Sequence, residues 1–399
     1  MNFFSKIIER IVESIFTISG WVASITIVLI VIFLFKEGTG LFNTNIIEKG
    51  YILCINSNNP ISTLTPQQIK LIFDSEIENW NQISESYNED IMLFRLDNIF
   101  SYYDEEELGD NYELLPDKIG EVITNTPNII AFIPHEYFPQ NNENVKLLNT
   151  GKNNLSNFIT GKEWMPTATP VPLFGLLPLI SGTLLVSFFA IILALPFGLG
   201  VAIYLSEIAE PQIHKILKPM IELLAGIPSV VYGFFGLVVI VPFVQQTFNL
   251  PVGETALAGS IVLAIMALPT IITIAEDAMR STPRSMREAS LALGGTHWQT
   301  IYRVIIPNAS SGIMAAVILG IGRAIGETMA VLMVTGNAAV ITGSLFLPVR
   351  TIPATIAAEL GEAPMGGTHY QALFVLGCIL FIITMFGSIA AEFLANRKK

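Results

Sequence analysis

Residues 281–307 read STPRSMREASLALGGTHWQTIYRVIIP, a polar, basic interruption between two apolar stretches, 253–275 and 309–336. Thr282 ahead of Pro283 reads as an N-cap followed by proline at the first helical position. Gly294 and Gly295 stop that helix after about three turns, since glycine adopts the left-handed conformation that closes a helix. Thr296 caps a second short helix over 297–306, which Pro307 closes. The expected product is a stubby helix–turn–helix on one face of a membrane, carrying Arg284, Arg287 and Arg303. Positive charge alone would suit any loop retained on the cytoplasmic side. The order of residues asks for more than charge.

Glu288, Ala289 and Ser290 are followed by three residues, Gly294, nine residues, Val304, one residue, then Ile306 and Pro307. This resembles the EAA loop of ABC-transporter permeases, Glu-Ala-Ala, Gly and Ile-x-Leu-Pro at the same spacing. The departures are conservative: Ser for the second Ala, Val for Ile, Ile for Leu. The resemblance implies a coupling helix that docks into a cleft of an ATPase subunit, with Arg287, Glu288, Ala289, Gly294 and Pro307 as its coupling residues. A short capped helix transmits a partner's movement, whereas a floppy loop absorbs it.

The chain has 399 residues, 52% of them hydrophobic, which points to an integral membrane protein with a sizeable soluble part. About 20 apolar residues cross a bilayer, and six stretches qualify: 15–35, 173–204, 216–244, 253–275, 309–336 and 372–395. The second holds Pro196, Gly198 and Gly200, so a kink or tilt is expected. The first is too long for a signal-peptide core and is expected to remain as an anchor. Lys6, Arg10, Lys215, Lys218, Arg280 to Arg303 and Arg397 to Lys399 fall on one side if all six cross. That places both termini in the cytoplasm, and residues 37–170 and 337–371 outside, in a multi-pass protein of the bacterial plasma membrane.

The net charge of −12 is local, because residues 36–163 hold 20 Asp and Glu against 8 Lys and Arg while the remainder balances. Such acidity belongs to an extracytoplasmic domain and gives no footing for nucleic acid. Three domains are expected: an N-terminal helix at 1–36, an α/β insert at 37–160, and a helical core at 161–399. In the insert, strands are expected at 51–56, 91–96 and 128–134. Helices are expected after Thr65-Pro66, over the acidic run 104–114 and at 118–124. Cys54 and Cys378 fall in different domains, so no disulfide is expected.

Residues 59–83, NPISTLTPQQIKLIFDSEIENWNQI, look like a stretch of phosphate-type periplasmic binding proteins. That family continues with an Arg and a Ser-Gly-Thr that hold the phosphate oxygens. Here Arg95 is followed by Leu96-Asp97-Asn98-Ile99-Phe100-Ser101. One lobe of a two-lobed fold would fit, either as a degenerate relative without its ligand or as a spacer that lifts a docking surface off the lipid. From 173 to 396 the chain resembles the C-type permease subunit of phosphate ABC importers, through IELLAGIPSVVYGFFG at 221–236 and TIPATIAAELGEAPMGGTHYQAL at 351–373. The second of these runs forms either a short external helix closing a pathway or an interfacial loop.

The resemblance implies a mainly α six-transmembrane-helix ABC importer permease with an inserted extracytoplasmic α/β domain resembling part of a phosphate-binding protein. It also implies its partners: a second homologous permease subunit, two ATP-binding cassette ATPase subunits, an extracytoplasmic phosphate-binding protein, phosphate and the lipid bilayer. No cofactor or metal is expected, since the four histidines are scattered and no G-x-x-x-x-G-K-[ST] loop occurs. ATP hydrolysis then belongs to other subunits. The alternatives are a permease for sulfate, molybdate or phosphonate, or a membrane-anchored sensor using the external domain.

Arg323 and Glu327, in GIGRAIGETMAV, are charges deep in an apolar stretch and should face the bundle interior. Spaced i,i+4 on one helix, they can pair. Gly322 and Gly326 would admit a neighbouring helix closely. Either the pair fixes helix register, or Arg323 meets a passing oxyanion with its planar fork while Glu327 holds it.

Overall fold

The computed structural model describes residues 3–47, 50–85, 87–109, 111–139 and 142–396. It divides into two compact units: Met1–Lys36, Leu177–Glu362 and Leu373–Lys399 form one, Glu37–Leu176 and Ala363–Ala372 the other. The chain begins in α1 (Phe3–Gly40), whose apolar side chains from Val12 onward are mostly exposed, Phe16 and Trp21 among them.

The second unit holds β1 (Tyr51–Asn56), α2 (Pro66–Phe73), β2 (Met92–Arg95), α3 (Leu115–Asn125), β3 (Ile129–Pro134), β4 (Val145–Leu147), α4 (Leu155–Thr160), β5 (Trp164–Met165) and β6 (Leu173–Phe174). Its sheet runs β2-β3-β1-β4, with β2 parallel to β3 and β1 antiparallel to β3 and β4. The first three strands and α2 lie where the sequence places them. Thr65 and Gln68 cap α2 reciprocally, side chain to backbone in both directions. Trp80 is fully buried, its indole N–H donating to the Asn128 carbonyl at 2.9 Å. The acidic run is a correction. Only Glu105–Leu108 makes a tight helical turn, and the chain then leaves helical geometry at Gly109 (φ 86°) and Tyr112 (φ 58°). A positive φ cannot continue a right-handed helix, and Gly109 supplies one directly after Leu108. The unit also runs past Thr160 to Leu176, because Trp164 and Phe174 pair across β5 and β6.

In the other unit, α5 (Leu177–Ile203) continues as a π-helical turn, Tyr204–Ile208. Then come α6 (Pro211–Ala225), α7 (Ser229–Phe235), a π turn Gly236–Ile240, α8 (Val241–Phe248) and α9 (Ala256–Arg280). They are followed by α10 (Arg284–Ala292), α11 (His297–Thr300), a π turn Ile301–Ile305, α12 (Ile306–Asn308), α13 (Ser310–Gly326), α14 (Met329–Val334), α15 (Ile352–Glu359) and α16 (Thr368–Asn396). Among the described residues five helical stretches are long and apolar enough to cross a membrane, and a sixth arises if 297–308 and 310–326, bent by 70°, count as one.

Two expected spans are redrawn. The stretch 216–244 is interrupted by Gly226 and Pro228, so the span is Ser229–Phe248 and α6 is a separate helix. On α6, Ile216, Met220 and Leu223 are exposed while His214 and Lys218 turn to α9. The stretch 309–336 breaks at Glu327, whose ψ of 131° leaves the helix. α9 is the most enclosed of the spans. Without a water-driven force between helices, close packing needs small residues. Gly198 and Gly320 supply it: an added Cβ would lie 2.9 Å from Ile271 side-chain atoms at both.

Candidate coupling and translocation sites

The 281–307 element is built from local rules. Pro283 (ψ 136°) stands just outside α10 and sets its start. Thr282 does not cap the helix, which corrects the sequence reading. It is 3% exposed, and its hydroxyl accepts from Asn308 Nδ2 at 3.2 Å, tying the two ends of the element. Gly294 has φ 83° and donates to Leu291 O, while Gly295 donates to Ser290 O, which satisfies carbonyls at the end of α10. An added Cβ on Gly294 meets nothing within 4 Å, so its constraint is torsional. On Gly295 a Cβ would lie 2.9 Å from Ser290 O, a steric need the sequence reading did not separate out. Thr296 and Gln299 cap α11 reciprocally, as expected. Ser290 and Thr300 hydroxyls, 2.9 Å apart, join the two arms. Pro307 does not close the second arm as expected: the helical path runs on through α12 to Asn308, and the 70° bend lies between Asn308 and Ser310.

Neighbouring side chains of this element face opposite ways. Glu288 and Ala289 are exposed, and Glu288 makes no hydrogen bond or ion pair among the described residues. Ala289 rims an open groove with Met286, Leu293 and Arg303, and Leu293 is 90% exposed. Arg287 instead turns back onto its own bundle. Its Nη1 lies 2.8 Å from Glu207 Oε2, and its Nη2 donates to Met279 O at 2.9 Å. The structure therefore leaves Glu288, Ala289 and Gly294 exposed, with Ala289 and Gly294 on one groove, and turns Arg287 back onto the bundle.

Deeper in the bundle, Arg323 sits half-buried in the last turn of α13, and its Nη1 donates to Thr270 Oγ1 at 3.2 Å. The expected pairing with Glu327 is absent. The helix ends at Gly326, so the i,i+4 relation no longer places the two on one face. Glu327 Oε1 accepts from the Ala330 N–H and so serves the start of α14. Gly322 and Gly326 have nothing within 4 Å of an added Cβ, so among the described residues no helix uses the close approach they allow. Gly312, against Ala278, and Gly320 are the tight positions on α13.

Two further clusters escaped the sequence reading. The Glu276 side chain is 1% exposed at the end of α9, with Lys218 Nζ at 2.6 Å, His214 Nε2 at 3.0 Å and Arg280 Nη1 at 3.2 Å. Burial works against the charge on Lys218, but its hydrogen bonds to Asp277 and Glu276 outweigh that and hold its pKa above the ordinary lysine value. The signal was an acidic pair closing an apolar run, with bases on α6. Arg350 and Glu359 pair at 2.8 Å across α15, whose Ile352 N–H donates to Thr183 Oγ1 of α5. In the second unit, Arg95 ends β2 and lies over the Phe73 ring, 5.5 Å from its centroid. The Arg95 N–H is taken by Asn98 Oδ1 at 2.7 Å, where an oxyanion cradle would need free donors.

Residues 194–399 match the family described as binding-protein-dependent transport system inner membrane component. The chain is 43% identical over 242 residues to the probable ABC transporter permease protein YqgH of Bacillus subtilis, an alignment that covers 61% of this chain and 78% of that one. It is 39% identical over 260 residues to the phosphate transport system permease protein PstC of Mesorhizobium japonicum, covering 60% and 78%. With PstC 1 of Mycobacterium tuberculosis it shares 36% over 276 residues, covering 60% and 82%. Among solved structures, an inward-facing MetNI methionine ABC transporter is similar at 20% identity and a TM-score of 0.44, covering 56% of this chain and 96% of that one. On the extent of the family match and of these identities, the chain belongs to the binding-protein-dependent transport system inner-membrane components.

Proposed function

We propose that this chain is the C-type permease subunit of an ABC importer for inorganic phosphate. The 281–307 element carries the reading: an exposed helix stopped by a left-handed glycine, whose Glu288 side chain has no partner among the described residues and whose Ala289 rims an open groove. Such a surface fits an ATPase subunit, and a permease without a nucleotide loop of its own must take its energy from one. The phosphate assignment rests on the relatives named as phosphate transport permeases. In this reading six spans cross the plasma membrane, both termini and the 281–307 element are cytoplasmic, and the insert is outside. The assembly pairs the chain with a second permease, two ATPases and an extracytoplasmic phosphate-binding protein. Arg323, with one hydrogen bond for five N–H donors, supplies a transient oxyanion contact in the pathway. Arg95, stacked on Phe73 in an acidic domain, favours a docking or regulatory role for the insert over substrate binding.

Uptake of radiolabelled phosphate by cells with and without this chain tests the proposal. Uptake should depend on the chain and resist competition by sulfate and molybdate. Uptake that is independent of the chain, or displaced by another oxyanion, overturns the phosphate assignment.

A further inference from the structure

The helix α10 is attached to its bundle with little hydrophobic help. None of its residues is buried, and Met286, Leu291 and Leu293 beside it are exposed. Its chain ends lead into α9 on one side and, through α11 and α12, into α13 on the other. Any displacement of α10 thus reaches α9 and α13 through the backbone. α5 has no such continuity, because Glu207 stands 80 residues before Arg287.

Arg287 bridges that gap. One arm of its guanidinium meets Glu207 Oε2 at 2.8 Å and the other meets Met279 O at 2.9 Å, in the last turn of α9. The Glu207 side chain is 4% exposed, and its second oxygen accepts from Ser206 Oγ at 2.6 Å, so the carboxylate is held from both sides. Glu207 lies in the π turn Tyr204–Ile208, and π turns interrupt helices at functional sites. A planar fork fixed at both arms resists both stretching and rotation, which a lysine ammonium does not.

We propose that Arg287–Glu207 is the strut through which movement of α10 drives α5, making the two positioning residues for coupling and leaving partner docking to Glu288. The inference rests on the permease reading above. Force applied to α10 reaches α9 and α13 through the chain, and α5 through this ion pair added to the packing of Gly198 on Ile271, so the three helices move as one body. Cutting the strut leaves α10 free to follow the ATPase while α5 lags.

The test uses the complete transporter, reconstituted in proteoliposomes with its partner subunits. R287Q, E207Q and R287K should each co-purify with the ATPase and hydrolyse ATP, while phosphate transported per ATP falls by about tenfold, a size typical of coupling between sites. The exchange E207R/R287E should recover part of that ratio. An unchanged ratio in the single variants overturns the strut. So does loss of ATPase co-purification, provided R287M/E207Q, which leaves no buried charge, loses it too.

A second measurement needs no substrate. Spin labels at L293C on α10 and I208C at the end of the α5 segment, both exposed, should keep one separation with and without nucleotide. In R287Q that separation should change on nucleotide binding. A change already present without R287Q overturns the strut. If hydrolysis by the unmodified complex ignores phosphate, the phosphate assignment fails, while the label distances still decide the strut.

Discussion

Arg323 Nη1 lies 3.2 Å from Thr270 Oγ1, so this guanidinium is held by a neutral hydroxyl of α9 and not by Glu327. In the proposed six-span reading a charge at this depth costs roughly 2.5–3.5 kcal/mol on insertion scales, and a hydroxyl leaves it uncompensated. An anion entering the bundle finds it available. Arg323→Gln should abolish phosphate uptake while the ATPase still co-purifies. Glu327→Gln should retain much of the uptake, because Glu327 caps α14 instead of neutralising Arg323. Uptake that survives Arg323→Gln, or assembly that fails with it, removes the anion-contact role.

Gly294 tests the coupling element without touching its surface. At φ 83° with open space around it, a side chain there strains only the backbone, at about 1–2 kcal/mol. Phosphate-stimulated ATP hydrolysis by the complex should fall in the order Gly, Asn, Ala, Val at this position, since Asn tolerates the left-handed region. Protein in the membrane should stay constant. Equal stimulation across the series would show that the shape of this turn is immaterial.

Glu276 and Asp277 both contact Lys218 at 2.6 Å, yet their side chains are 1% and 60% exposed. Breaking a buried ion pair costs about 3–5 kcal/mol, an exposed one about 0–1 kcal/mol. The detergent-purified chain should therefore melt at a clearly lower temperature with Glu276→Gln and almost unchanged with Asp277→Asn. Equal shifts would mean that the cluster is hydrated as a whole.

Cys54 is fully buried in the native insert, so only unfolding exposes its thiol to solvent. Burial pushes its thiol from 9.0 up to about 12. A raised acid pKa favours folding below the unfolded value and loses that advantage above it. Stability of the insert should therefore be level from neutral pH to about 9 and then fall by about 1.4 kcal/mol per unit toward about 12. In a Cys378→Ser background, maleimide should leave Cys54 unmodified at pH 8 until denaturant is added. Rapid labelling of the native protein would place the thiol at the surface.

Much of this structure was legible residue by residue. The caps at Thr65 and Thr296, the left-handed Gly294 and the bounds of β1 follow from contacts within a few positions or from one torsion angle, whereas the spans expected at 216–244 and 309–336 were redrawn by helix breaks. Such features depend on neighbours that the sequence itself lists in order. The Arg323–Glu327 pair failed for a related reason: the 3.6-residue period holds only while the helix continues, and the chain leaves it at Glu327. Only the tertiary structure decided that Arg287 turns inward to Glu207 while Glu288 faces out, and that Glu276 gathers His214 and Lys218 from 62 and 58 residues away. A charged side chain of either kind satisfies the same local pattern. Which partner it reaches is settled by how helices distant in sequence pack, because a buried charge that loses its counter-charge is costly.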